Sequence, residues 1–311
     1  MANSTREEQY VSLMKQALST SPAGILELFS ALYVFLSITA SCGNVLILIA
    51  LRKVSSIHPP TKHFYRCLAI TDLCVGVIVQ PLFATYIIFM FPAVEMNASV
   101  FRYVFKVMGT SSLILCGLSA TTSTAISVER LLALLLGLRY RHIVTLRRVR
   151  VVVICLWLLS LLSGWVRIWN RDIAFKQASF GVILCLVISI FCYTMIHLKL
   201  RHQQAQVQRS FPRGSQQNGE GALVSIVRYK KTVSIIMWVQ LALVTCYFPW
   251  GIVAVLQKEP KDGLAWFAAS LLVFLNSSLN PILYCWKIRE VRLVVKDTLR
   301  QLIQLHVKEK I

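Results

Sequence analysis

Long apolar stretches separated by short polar segments dominate the chain. A helix that crosses the hydrocarbon core of a bilayer needs about 20 apolar residues, and seven stretches meet or approach that length. The only Asp, Glu, Lys or Arg residues within these stretches are Asp72, Glu129 and Arg130. The pattern predicts an all-α membrane protein, a seven-transmembrane helix bundle. The spans are expected at about 28–51, 67–91, 107–136, 151–166, 177–198, 232–256 and 263–286.

The segments outside the spans are short. Residues 1–27 are polar at the start and predict an exposed N-terminal segment without a cleavable signal peptide. In residues 287–311, apolar residues recur at helical spacing among lysines and arginines, which predicts an amphipathic eighth helix on the inner leaflet and a tail. The fourth span is the shortest and is expected to extend past Arg150 and Arg167, whose long side chains can reach the interface.

Charge sets the predicted orientation. The chain has 33 Lys and Arg against 13 Asp and Glu, a net charge of +20. Most of the basic residues follow the first, third and fifth spans or lie in the tail, so the positive-inside rule puts the N-terminus outside and the C-terminus in the cytoplasm. We therefore expect a multi-pass plasma-membrane protein in contact with the lipid bilayer, and no nucleic-acid partner. The sequons at Asn3 and Asn97 then face outward, where glycosylation is expected.

Polar side chains inside the spans are the first functional candidates, because they are costly in lipid. Asp72 lies in the middle of the second span, and hydroxyl and amide side chains fall at comparable depth. Converging oxygens of this kind suit a hard cation such as sodium. The alternative is a protonated or water-linked Asp72 that only ties helices together, and depth alone does not separate the two. The other polar groups at this depth are Asn44, Ser119, Asn276, Ser277 and Asn280.

Other features of the spans are weak individually. Glu129 and Arg130 form either a local ion pair or a functional one at the inner end of the third span. Pro249 and Pro281 lie within the sixth and seventh spans, where a proline removes a backbone hydrogen bond and kinks the helix. The nine cysteines show no metal-ligand spacing and are expected to be buried thiols.

Taken in order, one motif per span resembles the rhodopsin-like (class A) G-protein-coupled receptors over nearly the whole chain. The motifs are Gly43-Asn44, Leu68-Ala69-x-x-Asp72, Glu129-Arg130-Leu131, Trp157, Tyr193, Cys246-x-x-Pro249 and Asn280-Pro281-x-x-Tyr284.

The resemblance implies roles for particular residues. Arg130 corresponds to a switch arginine that Glu129 holds at rest and that meets a heterotrimeric G protein on activation. Tyr193 and Tyr284 correspond to tyrosines that swing toward it when the sixth helix moves about Pro249. The implied switch and coupling set is Glu129, Arg130, Tyr193, Tyr284, Pro249 and Pro281. The implied allosteric sodium pocket is Asp72, Ser119, Asn276, Ser277 and Asn280, which favours the sodium interpretation.

The chain also departs from the family pattern. Phe105 stands where a disulfide cysteine is usual, the outer loop 167–177 has no cysteine, and Cys185 replaces a proline. These departures resemble the branch of melanocortin, cannabinoid, lysophospholipid and adenosine receptors. However, this chain lacks the acidic cluster that binds melanocortin peptides and the arginine–glutamate pair of lysophospholipid receptors. Gly109 stands at a position that belongs to the cluster in the first group and to the pair in the second.

The candidate pocket indicates a ligand class but not a ligand. Ser112 replaces the aspartate of amine receptors, and Phe274 replaces the lysine that binds retinal, so no retinal or other cofactor is expected beyond an allosteric sodium ion. The mostly apolar wall predicts a small, largely apolar or neutral extracellular ligand. Lys106 at the rim is either solvated or receives an anionic head group. The wall is expected to comprise Ser112, Leu113, Cys116, Tyr247, Trp250, Ala254, Trp266, Ser270 and Phe274.

Two further departures affect signalling. Tyr247 replaces the usual tryptophan above the kink, and Tyr229 stands where many relatives carry a glutamate facing the switch arginine. Without that acid, we expect appreciable ligand-independent signalling. Rival interpretations are an ion channel or transporter that conducts through Asp72, and a receptor-like partner that does not signal. No enzymatic activity is expected, because no catalytic motif is present.

Overall fold

The computed structural model describes residues 23–89, 98–210, 238, 241–254 and 263–308, and the regular structure within these ranges is entirely helical. Asn3, Asn97 and Tyr229 lie outside the described residues, as does most of 232–240. The helices are α1 (Ala23–Lys53), α2 (Pro59–Ile88), α3 (Ala98–Leu136), α4 (Leu146–Trp169), α5 (Arg171–Ser210), α6 (Leu241–Ala254), α7 (Gly263–Lys287) and α8 (Arg289–Lys308).

The described helices confirm an all-α membrane protein. Six of them, α1 to α5 and α7, are long and apolar enough to cross a bilayer, and α6 is a shorter apolar helix. α1, α4 and α5 extend beyond both ends of the predicted apolar spans, whereas α2 and α3 extend beyond them only at their N-terminal ends. The 40 residues of α5 correspond to a length of about 60 Å at 1.5 Å per residue, so this helix projects well beyond a hydrocarbon core of about 30 Å. As expected, α4 includes both Arg150 and Arg167.

The predicted outer loop 167–177 is helical in the structure. α4 continues to Trp169 and α5 begins at Arg171, so Asn170 alone connects them. Asn170 adopts an extended backbone, and its side-chain oxygen accepts a hydrogen bond from the Ile173 amide at 3.1 Å. Asparagine is a preferred residue at a helix N-cap, which explains how one residue ends α4 and starts α5.

α2 contains a π-helical turn at Val75–Val79, just before Pro81. Proline has no amide hydrogen, so a regular helix would leave a carbonyl one turn earlier without its donor; a π-turn is one of the ways in which helices adjust locally. The Gly76 carbonyl in this turn accepts a hydrogen bond from the Ser37 hydroxyl at 2.7 Å, and the Gln80 amide donates to the Phe274 carbonyl at 3.3 Å. These contacts join α1, α2 and α7.

Close backbone approach positions α7 against α1. A side chain added at Gly43 would lie 3.0 Å from the ring of Pro281, so glycine permits the contact between the first and seventh helices. Apolar side chains fill the outer half of the bundle around Tyr33, Phe83 and Phe274, and a second apolar cluster around Leu68 and Tyr284 fills the inner half. The buried polar groups considered below lie between and beneath these clusters.

Candidate functional site: a buried polar core and an inner switch

Asp72 is fully buried and is the centre of a hydrogen-bond network between α2, α3 and α7. Its Oδ1 accepts from the hydroxyls of Ser119 at 2.7 Å and Ser277 at 2.8 Å, and its Oδ2 accepts from the Asn280 amide at 2.7 Å. Three donors from two other helices therefore converge on one carboxylate. Buried charges require such partners, and this arrangement brings together four of the five residues of the predicted sodium pocket.

Several amide groups near this carboxylate have hydrogen-bonding capacity that no described residue satisfies. The fifth predicted residue, Asn276, is buried, and neither its side-chain oxygen nor its nitrogen has a hydrogen-bond partner among the described residues. Within the described part of the chain, the side-chain oxygens of Asn44 and Asn280 are also buried and unpaired. The Asn44 amide donates to the Ala40 and Ser277 carbonyls at 2.8 and 3.1 Å. Buried polar atoms normally have partners, so these oxygens are suited to a cation or to water.

A second network surrounds Glu129 at the inner end of α3. The Arg130 Nε lies 3.1 Å from the Glu129 carboxylate, which confirms the local ion pair. The other carboxylate oxygen accepts from the Thr61 hydroxyl of α2 at 2.7 Å and from the Tyr140 hydroxyl, which lies in the short helix Tyr140–Ile143 after α3. Burial and the hydrogen bond to Glu129 raise the pKa of Tyr140, so its phenol stays protonated at physiological pH and keeps donating.

Arg130 also contacts Tyr65 of α2. Its Nη2 donates to the Tyr65 hydroxyl at 3.2 Å, and its guanidinium carbon lies 5.7 Å from the centre of the Tyr65 ring. The Tyr65 ring is 4.9 Å from the ring of Tyr284 on α7, and both tyrosines are buried. Arg130 and Tyr284 are therefore connected through a residue that the sequence patterns did not single out. The available signal was the spacing of Thr61 and Tyr65, one helical turn apart.

The remaining predicted switch residues lie elsewhere. Tyr193 on α5 is 37% exposed and stacks on His197, with ring centroids 6.3 Å apart. It is not joined to the Arg130 cluster by any described contact, so the predicted swing toward Arg130 stays a prediction. Pro281 of α7 is buried against Gly43 of α1, and Pro249 is half-buried within α6.

The predicted pocket residues occupy the outer half of the bundle. Tyr247 is buried, and its hydroxyl donates to the Cys116 carbonyl of α3 at 3.1 Å, which ties α6 to α3 directly above the Asp72 network. The Cys116 thiol in turn lies 3.9 Å from the Ser112 hydroxyl. Ser270 and Phe274 are buried on α7, whereas Leu113 and Ala254 are half-buried.

An aromatic cluster lies closer to the outer ends of α5, α6 and α7. The ring centroids of Phe175, Trp250 and Trp266 are 5.9 to 6.0 Å apart in each pairing. The two tryptophans were predicted pocket residues. Phe175 was not, because the expected outer loop 167–177 placed it outside the helices. All three rings are partly buried, which leaves aromatic surface available for further contacts.

Two arginines occupy positions where the family pattern is altered. The guanidinium of Arg171 on α5 lies 5.0 Å from the centre of the Phe105 ring on α3, so a cation–π contact joins helix ends where a disulfide is usual. All nine cysteines lie in the described part of the chain, and none is paired. Five of them are buried, but Cys42 and Cys155 are exposed, so the expectation that all the thiols are buried is wrong. On α4, the Arg167 guanidinium fills the space beside Gly109, where an added side chain would lie 1.9 Å away.

A buried acid therefore lies at the centre of an apolar helix bundle, with the Glu129–Arg130 ion pair beneath it. The family model for the 7 transmembrane receptor (rhodopsin family) matches residues 43–172 and 163–284, so the chain belongs to this family. It is a G-protein-coupled receptor and not an enzyme. It is 25% identical over 288 residues to the adenosine receptor A3 of Ovis aries, covering 83% of this chain and 85% of that protein. Identity to the adenosine receptor A3 of Bos taurus is 24% over 292 residues, with the same coverage.

Proposed function

We propose that this receptor carries a signal from an aromatic outer pocket, through the Asp72 core, to Arg130. The observation that supports this route is a column of polar contacts along the bundle. Tyr247 joins α6 to α3, Asp72 joins α3 to α2 and α7, and Arg130 is linked to Tyr284 through Tyr65. A rearrangement at the outer end thus has a contiguous packed path to the inner end.

The inner end would meet a heterotrimeric G protein. Arg130 is 19% exposed, so only a small part of it is accessible while it is paired with Glu129 and Tyr65. Freeing it would create an exposed donor with five N–H groups. Tyr193 and Tyr284 would then close around it as the inner part of the sixth helix moves about Pro249. In this proposal the receptor lies in the plasma membrane with its N-terminus outside and its basic loops in the cytoplasm.

The ligand is proposed to be small and largely apolar or neutral. Phe175, Trp250 and Trp266 offer aromatic faces, and the hydroxyl of Ser112 lies deeper on α3. Aromatic side chains bind flat neutral rings through stacking and apolar burial. Because the matched relatives are adenosine receptors, a nucleoside is the first compound to test; it combines a neutral planar ring with hydroxyl groups.

A sodium ion is the proposed allosteric ligand of the polar core. Asp72 would supply the negative charge, and Ser119, Ser277, Asn276 and Asn280 would supply oxygen atoms, which hard cations prefer. The buried side-chain oxygens of Asn276 and Asn280, which no residue in the described ranges pairs with, support this fit. The bound ion would stabilise whichever arrangement of α2, α3 and α7 keeps these oxygens together.

The coupling proposal can be tested in cells that express a panel of chimeric G proteins. We expect Arg130→Ala to abolish basal and ligand-stimulated activation at unchanged surface expression. Arg52→Ala, which alters an exposed arginine at the end of α1, is the matched control and should signal normally. Full signalling by Arg130→Ala would contradict the coupling proposal.

The ligand class needs a separate screen on the same cells. Adenosine, other nucleosides and neutral lipids should include an activator, and Trp250→Ala should weaken its potency by at least tenfold, about 1.4 kcal/mol. The proposed ligand class is wrong if the compounds that activate the receptor with high affinity are dicationic amines or basic peptides.

A further inference from the structure

Tyr65 occupies a junction between three helices at the inner end of the bundle. It belongs to α2, its side chain is 5% exposed, and it contacts α3 through Arg130 and α7 through Tyr284. The Tyr65 hydroxyl contacts Arg130 alone, whereas the Tyr65 ring contacts both Tyr284 and Arg130, because the guanidinium carbon lies 5.7 Å from the ring centre. One side chain therefore holds both of the residues that the proposed function requires to move.

Glu129 cannot fix Arg130 relative to other helices without help. The two residues are neighbours on α3 and move together when α3 moves. Thr61 and Tyr140 hold Glu129 rather than Arg130, since both donate to its carboxylate. By contrast, the hydrogen bond from Arg130 Nη2 to Tyr65 crosses from α3 to α2. Among the described hydrogen bonds of Arg130, this one reaches another helix and so limits where the guanidinium can point relative to α2.

We propose that Tyr65 is a positioning residue that holds Arg130 in the resting state. Releasing Arg130 toward a G protein breaks its hydrogen bond to Tyr65, and moving Tyr284 toward Arg130 breaks the ring contact with the same tyrosine. Activation thus requires both contacts of Tyr65 to be lost together. This inference rests on the proposed coupling role of Arg130.

The contact between Tyr65 and Arg130 is also relevant to the absence of an acid at position 229 of the sequence. Tyr229 stands where many relatives place a glutamate, so a carboxylate from that position does not hold Arg130 here. Tyr65 provides a neutral acceptor from α2 instead. A phenol oxygen holds a guanidinium less strongly than a carboxylate does. The resting state is therefore retained but weakly, and basal signalling should be measurable and adjustable in both directions.

The decisive variant is Tyr65→Phe, which removes one oxygen and keeps the ring. Basal activation, expressed as a fraction of maximal activation and per receptor at the surface, should rise about five- to tenfold, as expected for one hydrogen bond to a partly exposed charge. Tyr65→Leu removes the ring contacts as well and should raise it further. Tyr103→Phe, at an exposed tyrosine of α3, is the control and should change nothing. A purely structural defect would lower signalling, so unchanged or reduced basal activation in both Tyr65 variants would overturn the inference.

A second measurement does not depend on any G protein. Thermal unfolding of the purified receptor is compared for Tyr65→Phe, Arg130→Met and the double variant. If Tyr65 acts through Arg130, the double variant should unfold at nearly the same temperature as Arg130→Met alone. Additive losses of stability would show that the contact contributes nothing and would overturn the inference. If the wild-type receptor activates no G protein at all, coupled losses of stability would uphold the contact and refute the proposed coupling function instead.

Discussion

Replacing Ser277 with alanine should separate a sodium site from a simple helix tie. The Ser277 hydroxyl donates to Asp72 Oδ1 at 2.8 Å, and both side chains are buried. A hydrogen bond to a charged group contributes about 1.5–3 kcal/mol net, so the variant should be destabilised by an amount in this range. That loss alone would not distinguish the two interpretations, because it is expected with or without a bound ion.

The distinguishing quantity is the dependence of stability on sodium. A ligand that binds only the folded state at ten times its dissociation constant stabilises it by about 1.4 kcal/mol. For a protein of this size, that corresponds to an increase of about 3 °C in the unfolding midpoint. We therefore expect purified receptor to unfold about 3 °C higher in sodium chloride than in choline chloride at equal ionic strength. Ser277→Ala should reduce this difference and Asp72→Asn should abolish it.

Ser278 provides the matched control. It is the next residue on α7 and is also buried, but its hydroxyl donates to the Leu36 carbonyl at 3.3 Å and accepts from Thr39 at 3.1 Å. Ser278→Ala should lower the midpoint while keeping the full sodium difference. The sodium proposal is refuted if the wild-type receptor unfolds at the same temperature in both salts. Equal loss of the sodium effect in Ser277→Ala and Ser278→Ala would show that helix packing, rather than the carboxylate, is responsible.

Two smaller predictions concern contacts at either end of α3. Phe105→Leu should lower the unfolding midpoint by about 1–4 °C, because the cation–π contact with Arg171 contributes about 0.5–2 kcal/mol; a midpoint as high as that of Tyr103→Phe would contradict this. Tyr140→Phe should destabilise the receptor by about 1.5–3 kcal/mol through the lost hydrogen bond to Glu129. Because the folded pKa of Tyr140 is raised, its contribution should be constant below about pH 10 and lost above it; a contribution that varies between pH 6 and 8 would refute this assignment.

Much of the candidate site could be predicted from residue type and depth. Asp72 and the serines and asparagines of α3 and α7 were expected to converge, because hydrophilic side chains in a membrane must find one another. Tyr65 and Tyr140 were missed for a physical reason. Both lie at the polar ends of helices, where tyrosines are common. A polar group there costs little free energy, so neither residue stands out in the sequence. Phe175 was missed because the predicted loop is a continuation of helix, which Asn170 permits by capping α5.

The sequence by itself determined that this is a helical membrane protein of the rhodopsin family, because the length of apolar stretches and the order of one motif per span are local properties of the chain. It also placed two acids, Asp72 and Glu129, within the apolar spans, and both are buried. Only the tertiary structure decided which helices each polar side chain joins, since those contacts depend on how far each helix is rotated and displaced against its neighbours. The link from Arg130 to Tyr284 through Tyr65 is of this kind: three residues far apart in sequence meet because α2, α3 and α7 pack together at their inner ends.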